Sequence, residues 1–482
     1  MSTNPTARWA PGRRKHGRPW PTTLLLPLAV VLVLACGAPE PSDESIPAAT
    51  VDAPQRVVLV TIDTLRVDHL GSSGYPRNTS PFLDSLANSG TMFERAYSSC
   101  SHTGPSHATL FTGLEPPQHR LLQNGETLHD DVLTLAEVFR DTGYRTAAFS
   151  TVGFLQGLSQ GFDNFDTRGQ YHPASDVLGR AGAWIADQPE DARLFVWIHL
   201  FDVHEWYQRD HVDPAGLEHI AAEPLQGEEL ATFLEAEHGV RYGHFERAKI
   251  VDSVDRYDGQ LWVTDQTLAR FHGDLGSAFN EDALWLITAD HGEGLGNHDF
   301  LGHGKNIYDE QLRVPLILVG PGITAGLRID QPVGLVDLAP TLAERVGASF
   351  DEQRFPIAGR SLGPLLAGET LPPKPLYAQR RPVDEKRLRE GWAEGEVFAL
   401  IDGSHKVIAN THGQHELYDL SVDPFELDDR FATADPAEAA LRDTLLRQAA
   451  QRFRDMMRQG EAVAGEGIDA SHVEELRALG YL

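Results

Sequence analysis

Three apolar, β-branched runs in this chain end in side chains of the kinds that hold metals and move protons. Residues 57–62 run into Asp63-Thr64, residues 194–199 close on His199 with Asp202 and His204 just beyond, and residues 283–288 run into Ala289-Asp290-His291-Gly292. A single aspartate at a strand end is more often a turn or cap residue. Carboxylates and imidazoles that reach one sheet edge from several strands are the material of a Zn, Mn, Mg or Ca centre. A fourth stretch runs from Ser101-His102-Thr103-Gly104-Pro105-Ser106-His107 to Thr112-Gly113 and reads as the start of a helix. Pro105 suits its first turn, and Thr103 falls just ahead, near the N-cap. A helix start binds tetrahedral oxyanions, and a hydroxyl held there beside a metal can become a nucleophile. On its own, Thr103 reads as an ordinary cap; its chemistry depends on what the other clusters bring to it.

The elements that must position these groups follow from the same runs. Continuous apolar runs at 57–62, 146–150, 194–199, 283–288 and 314–319 suit strands buried on both faces. Between them, 81–89, 133–142, 176–187 and 246–272 carry apolar residues at helical spacing, with Ile250, Val254, Tyr257, Leu261 and Leu268 near one face. This alternation predicts an α/β fold, a mostly parallel central sheet sandwiched by helices, with its reactive groups at the carboxyl ends of the strands. From about residue 373 the texture changes. Residues 397–401 and 405–409 flank Asp402-Gly403-Ser404 as a hairpin, and 438–458 and 471–479 read as helices. Residues 56–372 are therefore expected to form the catalytic domain and 373–482 a smaller α+β subdomain.

The N-terminus reads as a targeting segment. Arg8, Arg13, Arg14, Lys15 and Arg18 form a basic region without an acid, followed by an apolar run at 24–35 broken by Pro27. That run is short of the ~20 apolar residues a membrane-spanning helix wants and fits a signal peptide over 1–35. It ends Val33-Leu34-Ala35-Cys36-Gly37, which resembles a bacterial lipobox, and residues 36–55 read as a lipidated cysteine and a linker. The expected product is exported and held to a bacterial membrane, on its periplasmic or surface face, by a lipid on Cys36. The chain has two cysteines, so lipidation of Cys36 leaves Cys100 without an intramolecular disulfide partner. A formal charge of −29 over 482 residues argues against a nucleic-acid partner, which needs clustered Lys and Arg.

Taken together, the clusters resemble the sulfatase family of the alkaline-phosphatase superfamily. The resemblance runs through Thr61-Ile62-Asp63-Thr64-Leu65-Arg66-Val67-Asp68-His69-Leu70-Gly71, the Thr103 stretch, Asp290-His291-Gly292-Glu293, Gly302-His303-Gly304 and Arg313-Val314-Pro315. It continues in Glu416-Leu417-Tyr418-Asp419-Leu420 and Leu479-Gly480-Tyr481-Leu482. It implies that Asp63, Asp290 and His291 ligate a primary metal, with Thr103 as nucleophile beside it. His204 and His303 would bind a second metal or hold the oxyanion and leaving group. His199, Asp202, His298 and Lys305 are reserve candidates. Amides of the helix start, with His303 or Lys305, would stabilise the equatorial oxygens, and His204 would protonate the leaving oxygen.

Two departures shape the expected chemistry. The family places Cys or Ser at the nucleophile position, oxidises it to formylglycine, and follows it with an arginine; here Thr103 and His107 stand in those places, and threonine cannot give that aldehyde. Thr64 replaces the second acid of the usual Asp-Asp pair. A sulfated threonine has no internal exit, whereas a phosphothreonine is released by in-line attack of water. The expected reaction is therefore phosphate-type ester or diester cleavage with a divalent metal. The histidines favour Zn or Mn over Ca or Mg, and no formylglycine is expected. The alternatives are a sulfatase acting on a sulfated glycan or small sulfate ester, and a silent lipoprotein that binds an anion. His204-Glu205-Trp206-Tyr207 reads equally as an aromatic substrate wall and as core packing.

Overall fold

The computed structural model describes residues 53–168, 171–350, 356–380, 395–433 and 435–464. The signal segment, Cys36, most of the linker, the 471–479 helix and the terminal Leu479–Leu482 motif lie outside the described residues. No helix among the described residues is long and apolar enough to cross a membrane.

The chain builds a nine-stranded central sheet, and its middle is the set of apolar runs. The strands are β1 (Arg56–Ile62), β2 (Thr91–Tyr97), β3 (Arg145–Ser150), β4 (Asn164–Thr167), β5 (Leu194–Leu200), β6 (Ala283–Thr288), β9 (Arg313–Val319), β10 (Leu327–Ile329) and β11 (Val333–Gly334). A small hairpin, β7 (Gly294–Leu295) and β8 (Leu301–Gly302), sits between β6 and β9. The strand order is β10-β2-β9-β6-β1-β5-β3-β4, with β11 beside β2. Every pairing is parallel except those of β9, which runs against both β2 and β6. Connectivity explains this. The chain leaves β6 at its carboxyl end and turns back through the loop and the short helix Asp309–Leu312, so it enters β9 from the same end.

β1, β5 and β6 are almost wholly buried, as their unbroken Val, Ile, Leu, Phe and Trp content requires. Their register aligns the reactive residues. Thr61 lies opposite both His199 and Thr288, so Asp63, His199 and Asp290 come to one edge of the sheet. Two strands have no clear apolar run. In β2 the charged pair Glu94-Arg95 falls at a register shift between Phe93 and Ala96, and β4 is four half-buried residues. The helix Pro81–Ser89 forms where the spacing places it. The long helix Arg247–Leu275 buries Ile250, Val254, Tyr257, Leu261 and Leu268.

That helix also fixes the segment leaving β1. Asp258, fully buried, accepts from Tyr75 Oη at 2.7 Å and Arg77 Nη1 at 2.8 Å and pairs with His69 Nδ1 at 2.7 Å. Tyr257 Oη, one residue earlier, donates to the Thr64 carbonyl and accepts from the Arg66 amide, each at 2.8 Å.

Towards the C-terminus, β12 (Leu376–Gln379), β13 (Val397–Asp402), β14 (His405–Asn410) and β15 (Glu416–Asp419) form an antiparallel sheet in that order. The helix Pro436–Ala464 covers one face, with Phe453 stacked on Phe398 at 4.8 Å. The other face packs on Tyr97, Ile307 and Leu312. There Lys406, fully buried, reaches Asp309 at 2.8 Å and Glu426 at 2.7 Å.

Asp258→Asn leaves the buried Arg77 and His69 facing a neutral amide. Its expected cost is about 3 kcal/mol of folding stability, read by urea denaturation of the purified variant against the parent.

Candidate active site

Asp63 follows β1 directly, and Asp290 and His291 follow β6. All three are fully buried, as is His199 at the end of β5. Thr103 opens the helix Thr103–Thr112 as its first residue, with His102 at the N-cap, one step later than the cap position expected for it. Its hydroxyl lies 3.4 Å from Asp63 Oδ2, and His291 Nε2 lies 3.5 Å from Asp290 Oδ2 and 4.0 Å from Asp63 Oδ1.

Hydrogen bonds fix how these groups face. His291 Nδ1 sits 2.8 Å from the Gly292 carbonyl; a carbonyl only accepts, so Nδ1 carries the proton and Nε2 keeps its lone pair. Asp290 Oδ1 accepts from the Thr64 amide at 3.2 Å and the His291 amide at 2.9 Å, which leaves Oδ2. Asp63 Oδ1, Asp290 Oδ2, His291 Nε2, His199 Nε2 and Thr64 Oγ1 are buried without a hydrogen-bond partner among the described residues. Buried polar atoms are rarely left so, and Asp63, Asp290 and His291 place ligand atoms close enough to share one ion. Two carboxylate oxygens and an imidazole nitrogen are a donor set that a divalent cation fits.

The charges behave accordingly. Burial pushes the Asp63 carboxyl up, but the imidazoles of His199, His204 and His291 outweigh it and hold the group far below the usual range. Burial and the neighbouring Asp63 charge push Asp290 up. Thr64 is held at φ 58°, a region a β-branched residue enters only when its surroundings impose it. Its amide on Asp290 and its carbonyl on Tyr257 supply that constraint. Gly292 is needed for closeness, since a Cβ there would stand 2.2 Å from the Glu310 carbonyl oxygen.

His303 and His204 extend the site outward. The His303 ring lies 4.6 Å from His291 and 5.1 Å from His204, which stacks on Phe201 at 4.0 Å. Each has a carboxylate behind its Nδ1: Glu293 at 3.2 Å for His303 and Glu205 at 3.1 Å for His204. Burial disfavours the His303 imidazolium, yet Glu293 more than offsets it, so its pKa stands above the ordinary histidine value. Trp206 is core, with its indole N–H on Glu293 at 2.9 Å, while Tyr207 is exposed beside His204.

The other expected residues make contacts of their own. Asp202 accepts from Tyr171 Oη and the Ala174 amide, fastening the helix Ala174–Ala186, and burial lifts its pKa to about 6. His298 stacks on Tyr308 at 3.6 Å, with Nδ1 on Glu310 and Nε2 on the Glu426 carbonyl, so both ring nitrogens are engaged on the side of the C-terminal sheet. Lys305 leans on Phe300, its ammonium 5.9 Å from the ring centroid. His107 is buried under the Thr103 carbonyl at 2.8 Å, and burial holds it well below the usual histidine range.

The expected cradle of helix-start amides is mostly used up. Asn124 Oδ1 takes the Gly104 N–H at 2.7 Å, Pro105 has none, and the Ser106 N–H bonds back to the His102 carbonyl at 3.0 Å. The Thr103 N–H is what that turn has left for an oxyanion. Sequence reading missed Thr61, Trp197, Asn124, Glu205 and Glu293. Of these, Glu293 carried a signal directly after Asp290-His291-Gly292, and Glu205 another directly after His204.

The profile of the sulfatase family matches residues 55–348. The chain belongs to the sulfatase family. Sulfatase-family proteins are hydrolases of sulfuric or phosphoric esters and use a divalent metal. The chain is similar to arylsulfatase K of Mus musculus, 26% identical over 84% of this chain and 81% of that protein. It is 25% identical to choline-sulfatase of Rhizobium meliloti over 75% of this chain and 80% of that one. The fold matches the phosphonate monoester hydrolase of Agrobacterium radiobacter with a TM-score of 0.64, at 20% identity, over 84% of this chain and 96% of that chain.

In Glu293→Gln the carboxylate that favours the His303 imidazolium is gone. The His303 pKa is expected to fall below its parent value in metal-free protein. The measurement is an NMR titration of the ring protons, and an unmoved midpoint would refute the pairing.

Proposed function

We propose that the protein cleaves phosphate-type esters in a divalent-metal-dependent reaction with Thr103 as nucleophile. The observation that carries this is the Thr103 hydroxyl, 3.4 Å from Asp63 Oδ2 among buried ligand atoms that face one another without partners. A divalent cation held by Asp63, Asp290 and His291 supplies Lewis-acid polarisation and lowers the pKa of a nearby hydroxyl; the mixed nitrogen and oxygen donors favour Zn or Mn.

The chain's own groups do the rest. The helix start orients Thr103 Oγ1, and Asp63 Oδ2 accepts its proton's hydrogen bond. A Thr103 O–P bond forms, with the hydroxyl proton lost past Asp63 to solvent, as the bond from phosphorus to the leaving oxygen breaks. His204, whose Nε2 faces outward because Glu205 holds Nδ1, gives that oxygen its proton. His303, whose charged form Glu293 favours, and the Thr103 N–H hold the oxygens that stay on phosphorus. Water then attacks phosphorus from the opposite side, giving a proton back to His204, while the departing Thr103 oxygen takes a proton from solvent; the phosphate, or the monoester that remains of a diester, is released. An arginine-free nucleophile turn and a threonine that cannot become an aldehyde support phosphorus over sulfur.

A second reading, sulfate-ester hydrolysis, is favoured by the similarity to arylsulfatase K and choline-sulfatase. The basic and apolar leader before Cys36 supports an exported, lipid-anchored form of either enzyme.

Zinc- or manganese-loaded protein is expected to turn over an aryl phosphate diester or monoester faster than an aryl sulfate. Thr103→Ala is expected to lose at least about 10³-fold in kcat, and Thr103→Ser to keep part of it. Preferential sulfate turnover would establish the second reading, and turnover that survives Thr103→Ala would remove Thr103 from the chemistry.

A further inference from the structure

Behind Asp63 lie four side chains whose hydrogen bonds to one another fix which atom of each donates and which accepts. His107 Nδ1 is 2.8 Å from the Thr103 carbonyl and must donate to it, so the Nε2 of the neutral ring accepts. The group facing that Nε2, at 3.0 Å, is the Thr61 hydroxyl, whose single proton is thereby committed. Thr61 Oγ1 has lone pairs left, and two nitrogens meet it, Trp197 Nε1 at 3.0 Å and His199 Nδ1 at 3.0 Å. Indole N–H only donates. His199 Nδ1 must donate as well, because the hydroxyl has no second proton to give it.

With Nδ1 protonated, a neutral His199 ring carries its lone pair on Nε2. That atom is fully buried, has no hydrogen-bond partner among the described residues, and stands 3.3 Å from Asp63 Oδ2. A nitrogen lone pair against a carboxylate oxygen in a dry interior is repulsive unless a cation lies between them. The placement is built into the sheet: Thr61 and His199 are partners in the β1–β5 register, and Trp197 precedes His199 by two residues on the same face.

We propose that His199 Nε2 is a further protein ligand of the cation held by Asp63, Asp290 and His291, and that Thr61, His107 and Trp197 lock its tautomer. Ring orientation and tautomer of a ligating histidine are commonly set this way, by what its other nitrogen touches. The chain from metal to nucleophile is then closed: His199 leads through Thr61 and His107 to the carbonyl of Thr103 itself. The inference rests on the metal-dependent reading of the site.

Zinc content and X-ray absorption of the full chain at one Zn(II) equivalent test both separately. Wild type is expected to retain zinc against dialysis, and failure to do so overturns the metal-dependent reading together with the inference. The imidazole count per zinc in the extended fine structure is expected to fall by one in His199→Ala. An equal count in the two proteins means that His199 is doubly protonated and donates to Asp63, which overturns the inference while leaving the metal reading intact. Thr61→Val, which keeps the side-chain shape, is expected to weaken zinc affinity about 10-fold in a chelator competition, within the range for outer supports of a ligand. Unchanged affinity in Thr61→Val also counts against the lock. Thermal melts of the metal-free variants separate these effects from misfolding.

Discussion

Asp63 and Asp290 are two fully buried carboxylates that face one position, and the molecule is arranged around the cost of keeping them there. Each would be neutral in a dry apolar interior, and each raises the other's energy when ionised. The fold brings them together all the same, at the ends of adjacent parallel strands, β1 and β6, whose register leaves no alternative. Compensation comes in layers. Backbone amides of Thr64 and His291 hold one oxygen of Asp290, imidazoles surround Asp63, and the remaining atoms are left facing a shared centre. A site built on such strain favours a cation, because the arrangement without one is the expensive one.

The same logic reaches Thr103, the proposed nucleophile. Thr103 is on a helix that contributes little as an anion cradle, since Asn124, Pro105 and the return bond of Ser106 occupy the first turn. Its reactivity has to come from Asp63 and from what Asp63 helps to hold. In the proposed reaction the chemistry is concentrated at this end of the sheet, and the outer histidines, each backed by a glutamate, are left to handle charge on the substrate and leaving oxygen.

Much of this was legible in the residues. β1, β5 and β6 announce themselves as unbroken apolar runs, and Asp63, Asp290 and His291 stand where those runs stop. β2 was not legible because Glu94 and Arg95 interrupt it at a bulge, nor was β4, whose four residues are polar enough to read as loop. The direction of β9 depends on where the preceding loop ends, which composition does not encode. His298 resembled a site residue by proximity in sequence, yet its φ of 49° and its stack on Tyr308 turn it towards the C-terminal sheet. Thr61 and Trp197 were hidden for a different reason: their meaning lies in a bond spanning 136 positions of sequence, and a threonine inside a strand looks like filler until its partners are placed.

Lys406 gives the C-terminal sheet a part in this architecture. Its ammonium is fully desolvated between Asp309, at the foot of β9, and Glu426, whose carbonyl also holds His298. Asp309 and His298 bracket the loop that carries His303. Lifting the sheet away would strand that ammonium and its carboxylates without partners, and loosening the loop would do the same from the other side. The two regions are consequently one cooperative unit: thermal motion that frees one frees both, and an insertion between them is tolerated only where it leaves this buried clasp closed.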